Sequence, residues 1–136
     1  MRTVAVRLRP GQDLKRELLA VAERERVQAG WVLTCVGSLS RATLRLAGAT
    51  SRTTRDGALE IVALVGTITR SDSHLHLAVA DDQGVTFGGH LLGGCLVRTT
   101  AEVVLGADDR LRFDREHDPQ TGYQELVVRH PEVEPT

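Results

Sequence analysis

Three histidines, His74, His76 and His90, lie where a short stretch of chain can bring their imidazoles together. His74 and His76 flank a single leucine in Ser73-His74-Leu75-His76-Leu77, so on a β-strand both side chains leave by the same face. Asp81-Asp82-Gln83-Gly84 follows as a turn signal. A type I turn at Asp82-Gln83, with Gly84 left-handed as a bulge, pairs Asp81 with Val85. Counting outward sets His76 opposite His90, with Cβ atoms about 4.5–5.5 Å apart on one face. Three convergent imidazoles are a donor set for a divalent metal, zinc first, with Zn–N near about 2.0–2.1 Å. The turn decides the matter, because a one-residue change in loop length sends His90 to the other face. Histidine nitrogen also suits iron, manganese and nickel, and spacing does not choose among them.

Structural zinc is usually closed by four protein ligands, whereas three histidines leave a position open to water or a small anion. Two readings follow. The chain is a metal-binding module, or it is a small enzyme whose metal-activated water, with a pKa near about 7, serves as nucleophile. The second reading needs a base. Glu102, on the next strand, is one candidate, and a carboxylate paired with Arg98 or another arginine is its plainer role. Ser38 beside Gly37 lines a pocket or marks a bulge. Asp72 and Ser73 read as turn residues. Gly88, Gly89, Gly93 and Gly94 lack the strand–loop–helix setting and the lysine of a phosphate loop, so they read as close backbone packing. Cys95 falls on the face opposite His90 along an unbroken strand and is left out. His117 and His130, in a turn and a tail, read as exposed and unliganded.

The elements that must position the histidines follow from pattern. Val4, Val6 and Leu8 alternate on one face of a first strand, which Pro10-Gly11 ends. Asp13 is a helix N-cap. The helix is expected to run to about Ala29, with Leu14, Leu18, Val21 and Ala22 as its apolar stripe and Gly30 as its stop. Trp31 to Leu39 reads as a strand, interrupted at Gly37-Ser38 and resumed at Thr43–Leu46, and Gly48 to Gly57 as a polar connection. Leu59–Val65 is apolar at nearly every position, the mark of a strand covered on both faces. Cys95–Leu105 is a further strand, and Leu111–Phe113 and Gln124–Val128 flank the turn Asp118–Gly122. One helix and many turn-linked strands give an α+β single domain, a mostly antiparallel sheet with the helix packed on it. The domain is taken as residues 1–130 and residues 131–136 as a flexible tail. With one helix and few aromatics some sheet surface stays apolar, and oligomerisation would bury it.

Composition excludes some classes. The 136 residues carry a net charge of −1 with interspersed signs and only 3% aromatics. There is no general electrostatic reason to bind DNA or an anionic membrane, and no platform for base stacking. A trimer could still gather Arg41, Arg45, Arg52 and Arg55 on one surface. Cys35 and Cys95 sit far apart in apolar runs and read as buried free thiols of a cytoplasmic protein. The chain opens without a signal peptide, and no apolar run approaches membrane-span length.

Together these segments resemble the PPC ("plants and prokaryotes conserved") domain in its stand-alone prokaryotic form. The resemblance runs through Arg9–Leu14, Ala29–Leu33, Val36–Leu39 and Leu59–Ile68. It continues in His74-Leu75-His76, Gly88-Gly89-His90-Leu91, Gly94 and Thr99–Glu102, and ends in Phe113–Glu116 and Thr121–Leu126. It implies a homotrimer, and a metal, zinc in similar prokaryotic members, on His74, His76 and His90. In plants the domain is joined to AT-hooks that bind the minor groove. This chain has no Arg-Gly-Arg-Pro hook and no basic tail, so DNA is not an expected partner, and a DNA-binding or regulatory role by analogy with the plant AT-hook proteins stands as a third reading.

Overall fold

The computed structural model describes residues 1–131, and the expected tail, apart from Pro131, lies outside the described residues. In chain order the elements are β1 (Arg2–Leu8), α1 (Leu14–Arg24), β2 (Ala29–Arg45), β3 (Thr53–Thr69), β4 (Ser73–Ala80), β5 (Thr86–Leu91), β6 (Leu96–Ala107), β7 (Arg112–His117) and β8 (Gln124–Arg129). A six-stranded sheet runs β1-β6-β2-β3-β4-β5, and every pairing in it is antiparallel. β5 also pairs with the end of β2, at Leu44 opposite Leu91 and Arg45 opposite His90. The pairings β2–β3, β3–β4, β4–β5 and β5–β2 therefore close a ring. β7 and β8 form a separate hairpin. This is the expected α+β architecture.

The helix starts as the sequence predicts. Asp13 is its N-cap, and its carboxylate accepts from the Arg16 amide at 3.0 Å. The other carboxylate oxygen accepts from the Gly94 amide at 2.6 Å, which ties the helix start to the loop after β5. Leu14, Leu18, Val21 and Ala22 are buried against the sheet.

The helix ends earlier than Ala29, and Gly30 is not its stop. The Val27 amide donates to the Ala22 carbonyl and the Arg26 amide to the Glu23 carbonyl, the paired bonds of a Schellman motif. Its left-handed residue is Arg26, at φ 54°. Glu23-Arg24-Glu25-Arg26 offers no apolar side chain to dock, so the chain turns there and buries Val27 instead. Gly30 already lies in β2, where a Cβ would stand 2.6 Å from Val27 Cγ1. A left-handed arginine costs about 1 kcal/mol that glycine would not. Arg26→Gly should therefore raise the melting temperature by about 2–4 °C, read by calorimetry.

β2 is one continuous strand and is not interrupted at Gly37-Ser38. Its register against β6 shifts beside Gly37, so the pair marks a bulge. β3 begins at Thr53, within the stretch read as a polar connection. It is also not covered on both faces. Leu59 and Ile61 point inward, a register shift between Ile61 and Ala63 changes the phase, and Leu64 and Ile68 then point inward. Val62 and Val65 are left 55% and 57% exposed on the outer face, with Val36 of β2 at 57% and Leu33 at 47%. The helix covers only the inner face.

Candidate metal centre

The turn between β4 and β5 has the expected register. The Asp81 amide donates to the Val85 carbonyl at 2.9 Å, and the Asp81 carboxylate accepts from the Gln83 and Val85 amides. Gly84 takes φ 76°. His76 is opposite His90, with Leu77 opposite Gly89. On the other side of β4, His74 is opposite Thr67 and His76 opposite Val65. Alternation buries Ser73, Leu75, Leu77 and Val79 and sends both histidines outward.

Glycines let these strands close in. A Cβ at Gly88 would stand 2.5 Å from the Leu77 carbonyl oxygen, and one at Gly89 2.6 Å from that of Arg45. Residues 88 and 89 thus let β5 fit between β4 and β2, and His90 follows directly. Gly88, Gly89 and Gly94 are packing devices, as expected, whereas a Cβ at Gly93 would meet nothing within 4 Å.

The three imidazoles form a near-equilateral triangle, with ring centroids 5.1, 5.4 and 5.8 Å apart. One nitrogen from each lies within 4.8 Å of the other two. Tetrahedral zinc holds its nitrogens roughly 3.3 Å apart, so small ring rotations would complete the set. His74 and His76 are exposed and His90 half-buried, which leaves one side of the triangle open.

Burial, then the Arg45 charge and the neighbouring imidazoles, push His90 down to about 4. His74 is lowered too, by burial first, then by His76 and Arg115, while the Glu125 carboxylate opposes the shift. Neutral imidazole is the metal-binding form. The shift has a consequence for the metal-free protein. Below about 6.5 an unfolded histidine takes up a proton that folded His90 refuses until about 4. The unfolded state therefore binds more protons across that window. Stability from this group is complete above pH 6.5 and should be lost as pH falls from 6.5 towards 4. Urea midpoints across that range should fall less steeply in His90→Ala.

Other residues read from the sequence lie elsewhere. Glu102 sits opposite Arg7 and Val36, nine residues along β2 from Arg45, and does not reach the histidines. Ser38 is buried opposite Glu60. Asp72 holds a turn, its carbonyl accepting from Thr69 and its carboxylate from the Ser73 amide. Cys95 is buried, its sulfur bonded to the Thr43 backbone, and His117 closes β7 opposite Gln124. Cys35 and Cys95 are free thiols, each pushed by burial up to about 11.

The sequence reading missed the contribution of the β7–β8 hairpin. Arg115 donates to Thr67 Oγ1 at 3.2 Å beside His74, and Tyr123 and Glu125 line the groove at that histidine. A signal was present, since Phe113–Glu116 and Thr121–Leu126 are among the segments that carry the family resemblance. Among the described residues, no helix is long and apolar enough to cross a membrane.

The model of the Plants and Prokaryotes Conserved (PCC) domain matches residues 1–108. Bifunctional protein GlmU of Synechococcus sp. (strain JA-3-3Ab) is 55% identical over 128 residues, 94% of this chain and 21% of that protein. The chain thus spans about a fifth of the length of this curated relative. A hypothetical protein from Salmonella enterica has the same fold, with a TM-score of 0.94 and 41% identity over 96% of this chain and 94% of that one. The metal-containing protein AF0104 from Archaeoglobus fulgidus matches in fold with a TM-score of 0.74 and 22% identity, over 93% of this chain and 94% of that one.

Proposed function

As the chain belongs to the Plants and Prokaryotes Conserved (PCC) domain family, we propose that it is a homotrimeric metal-binding protein of that family. It holds a divalent ion, zinc first, on His74, His76 and His90 and keeps one position open to water or a small anion. The observation that carries this reading is the triangle of three donor nitrogens within 4.8 Å of one another. The donor set fits: three histidines are zinc ligands, and two of them are held towards the neutral form that binds metal. Bound there, zinc would supply a Lewis acid able to polarise an oxygen ligand. That AF0104 contains a metal is a fact about that protein. The case here rests on the histidines of this chain.

The bare outer face supports the trimer. Leu33, Val36 and Val62 lie between the pairings Trp31–Thr67 and Gly37–Ile61, an apolar surface that a second copy would bury, while Val65, opposite His76, lines the groove at the histidines. We take residues 1–130 as the assembling domain, with the free thiols fitting a cytoplasmic setting. DNA finds less support. Arg41 is paired with Asp56, Arg55 lies 4.2 Å over the Phe87 ring, and Arg45 stands at the histidines.

Glu125 favours a second reading, a small metal-dependent enzyme, because a base beside His74 is what three ligands lack. Elemental analysis and light scattering on untagged protein test the main reading. One zinc per chain and a mass three times the chain's 14.8 kDa are expected. No metal after incubation with zinc, or a monomer mass, overturns the corresponding half. Ester hydrolysis by zinc-loaded protein that disappears in Glu125→Gln would establish the enzyme.

A further inference from the structure

The histidine triangle lies between two grooves, one lined with many charged side chains and the other with few. On one side it meets charged residues from β2 and the β7–β8 hairpin, Arg45 and Arg115 among them. On the other it opens into a groove of about 650 Å³ whose walls include Leu46, Ala47, Ala49 and Ala63. That volume falls within the roughly 300–1,000 Å³ of small-molecule sites.

The charges nearest the histidines are unbalanced. Arg45 is directly opposite His90, and Arg115 is held on Thr67, opposite His74. In the same hairpin Arg112 and Arg129 are neutralised by Asp114 and Glu116. Neither Arg45 nor Arg115 forms an ion pair among the described residues. A divalent ion would add two further positive charges, with Glu125 as the nearby carboxylate. An anion in the open position balances that excess, and a guanidinium fork matches a carboxylate or a phosphate equally well.

We propose that the centre binds a small organic anion. Its carboxylate or phosphate head takes the open metal position between Arg45 and Arg115, and its apolar body lies along Leu46, Ala47, Ala49 and Ala63. This rests on the metal reading above and adds the class of ligand and the residues that select it.

The test is calorimetric titration of the zinc-loaded protein, in its native assembly, with acetate, hexanoate, inorganic phosphate and hexyl phosphate. At roughly two- to fourfold per buried methylene, hexanoate should bind roughly 15- to 250-fold tighter than acetate, and hexyl phosphate at least as much tighter than inorganic phosphate. Whichever of acetate and inorganic phosphate binds more tightly identifies the head, since the hexyl compounds differ in how many carbons they add. Arg45→Gln and Arg115→Gln should each weaken binding about tenfold at unchanged zinc content. Leu46→Ser should flatten the dependence on chain length. Equal affinity for bare and hexyl heads, or indifference to both arginine substitutions, overturns the proposal. A protein that holds one zinc per chain and ignores all four anions overturns it alone. A protein that takes no zinc overturns the metal reading and this proposal with it.

Discussion

His90→Ala is expected to lower zinc affinity by on the order of a hundredfold to a thousandfold while leaving the chain folded. Protein-bound zinc is worth on the order of 10 kcal/mol. Sharing that among three ligands makes each about 3 kcal/mol, or a little over two decades in affinity. His90 is the informative choice because it comes from β5, whereas His74 and His76 share β4. Its removal leaves a His-x-His pair, which anchors a metal only weakly. The substitution leaves Gly88 and Gly89 free to pack. Competition against a chelating dye reads the affinity, and circular dichroism reads the fold. Unchanged zinc affinity in a folded variant would remove His90 from the ligand set and reduce the centre to a surface pair.

The geometry of the triangle was legible because it depends on a short-range object. Asp81, its Asx-type turn and Gly84 set the register over four residues, and alternation carries that register to His90 without further information. Asp13 was legible for the same reason. The helix end was not, because Arg26 performs left-handed a task that sequence patterns assign to glycine. The two faces of β3 were misread because one bulge after Ile61 reverses the alternation, and a run of apolar residues hides such a reversal. Arg115, Tyr123 and Glu125 were marked only by the family resemblance, for a different reason. They come from a hairpin that does not join the main sheet, and no local pattern states where such a hairpin docks. The candidate site therefore divides into histidines fixed by one turn and surroundings fixed by tertiary packing.

Gly66 is where fold and site meet, and Gly66→Ala should be the most damaging single methyl group placed near the centre. Gly66 sits opposite Leu75, between the partners of His74 and His76, at φ 139°. A Cβ there would fall 1.9 Å from the His74 carbonyl oxygen, and the obstacle is backbone that cannot rotate away. β3 and β4 would have to separate at the histidines. Gly48 supplies the control, since it is also left-handed, at φ 72°, but a Cβ there meets nothing within 4 Å. Gly48→Ala should cost only the conformational penalty, about 1 kcal/mol. Gly66→Ala should cost about 3 kcal/mol or more, a fall in melting temperature of roughly 10 °C. Zinc affinity should fall with it, because the displaced strand carries two of the three proposed ligands. Equal losses in the two variants would show that β4 yields to the methyl group. The histidine triangle would then owe its shape to the turn alone, and not to the contact of β3 with β4.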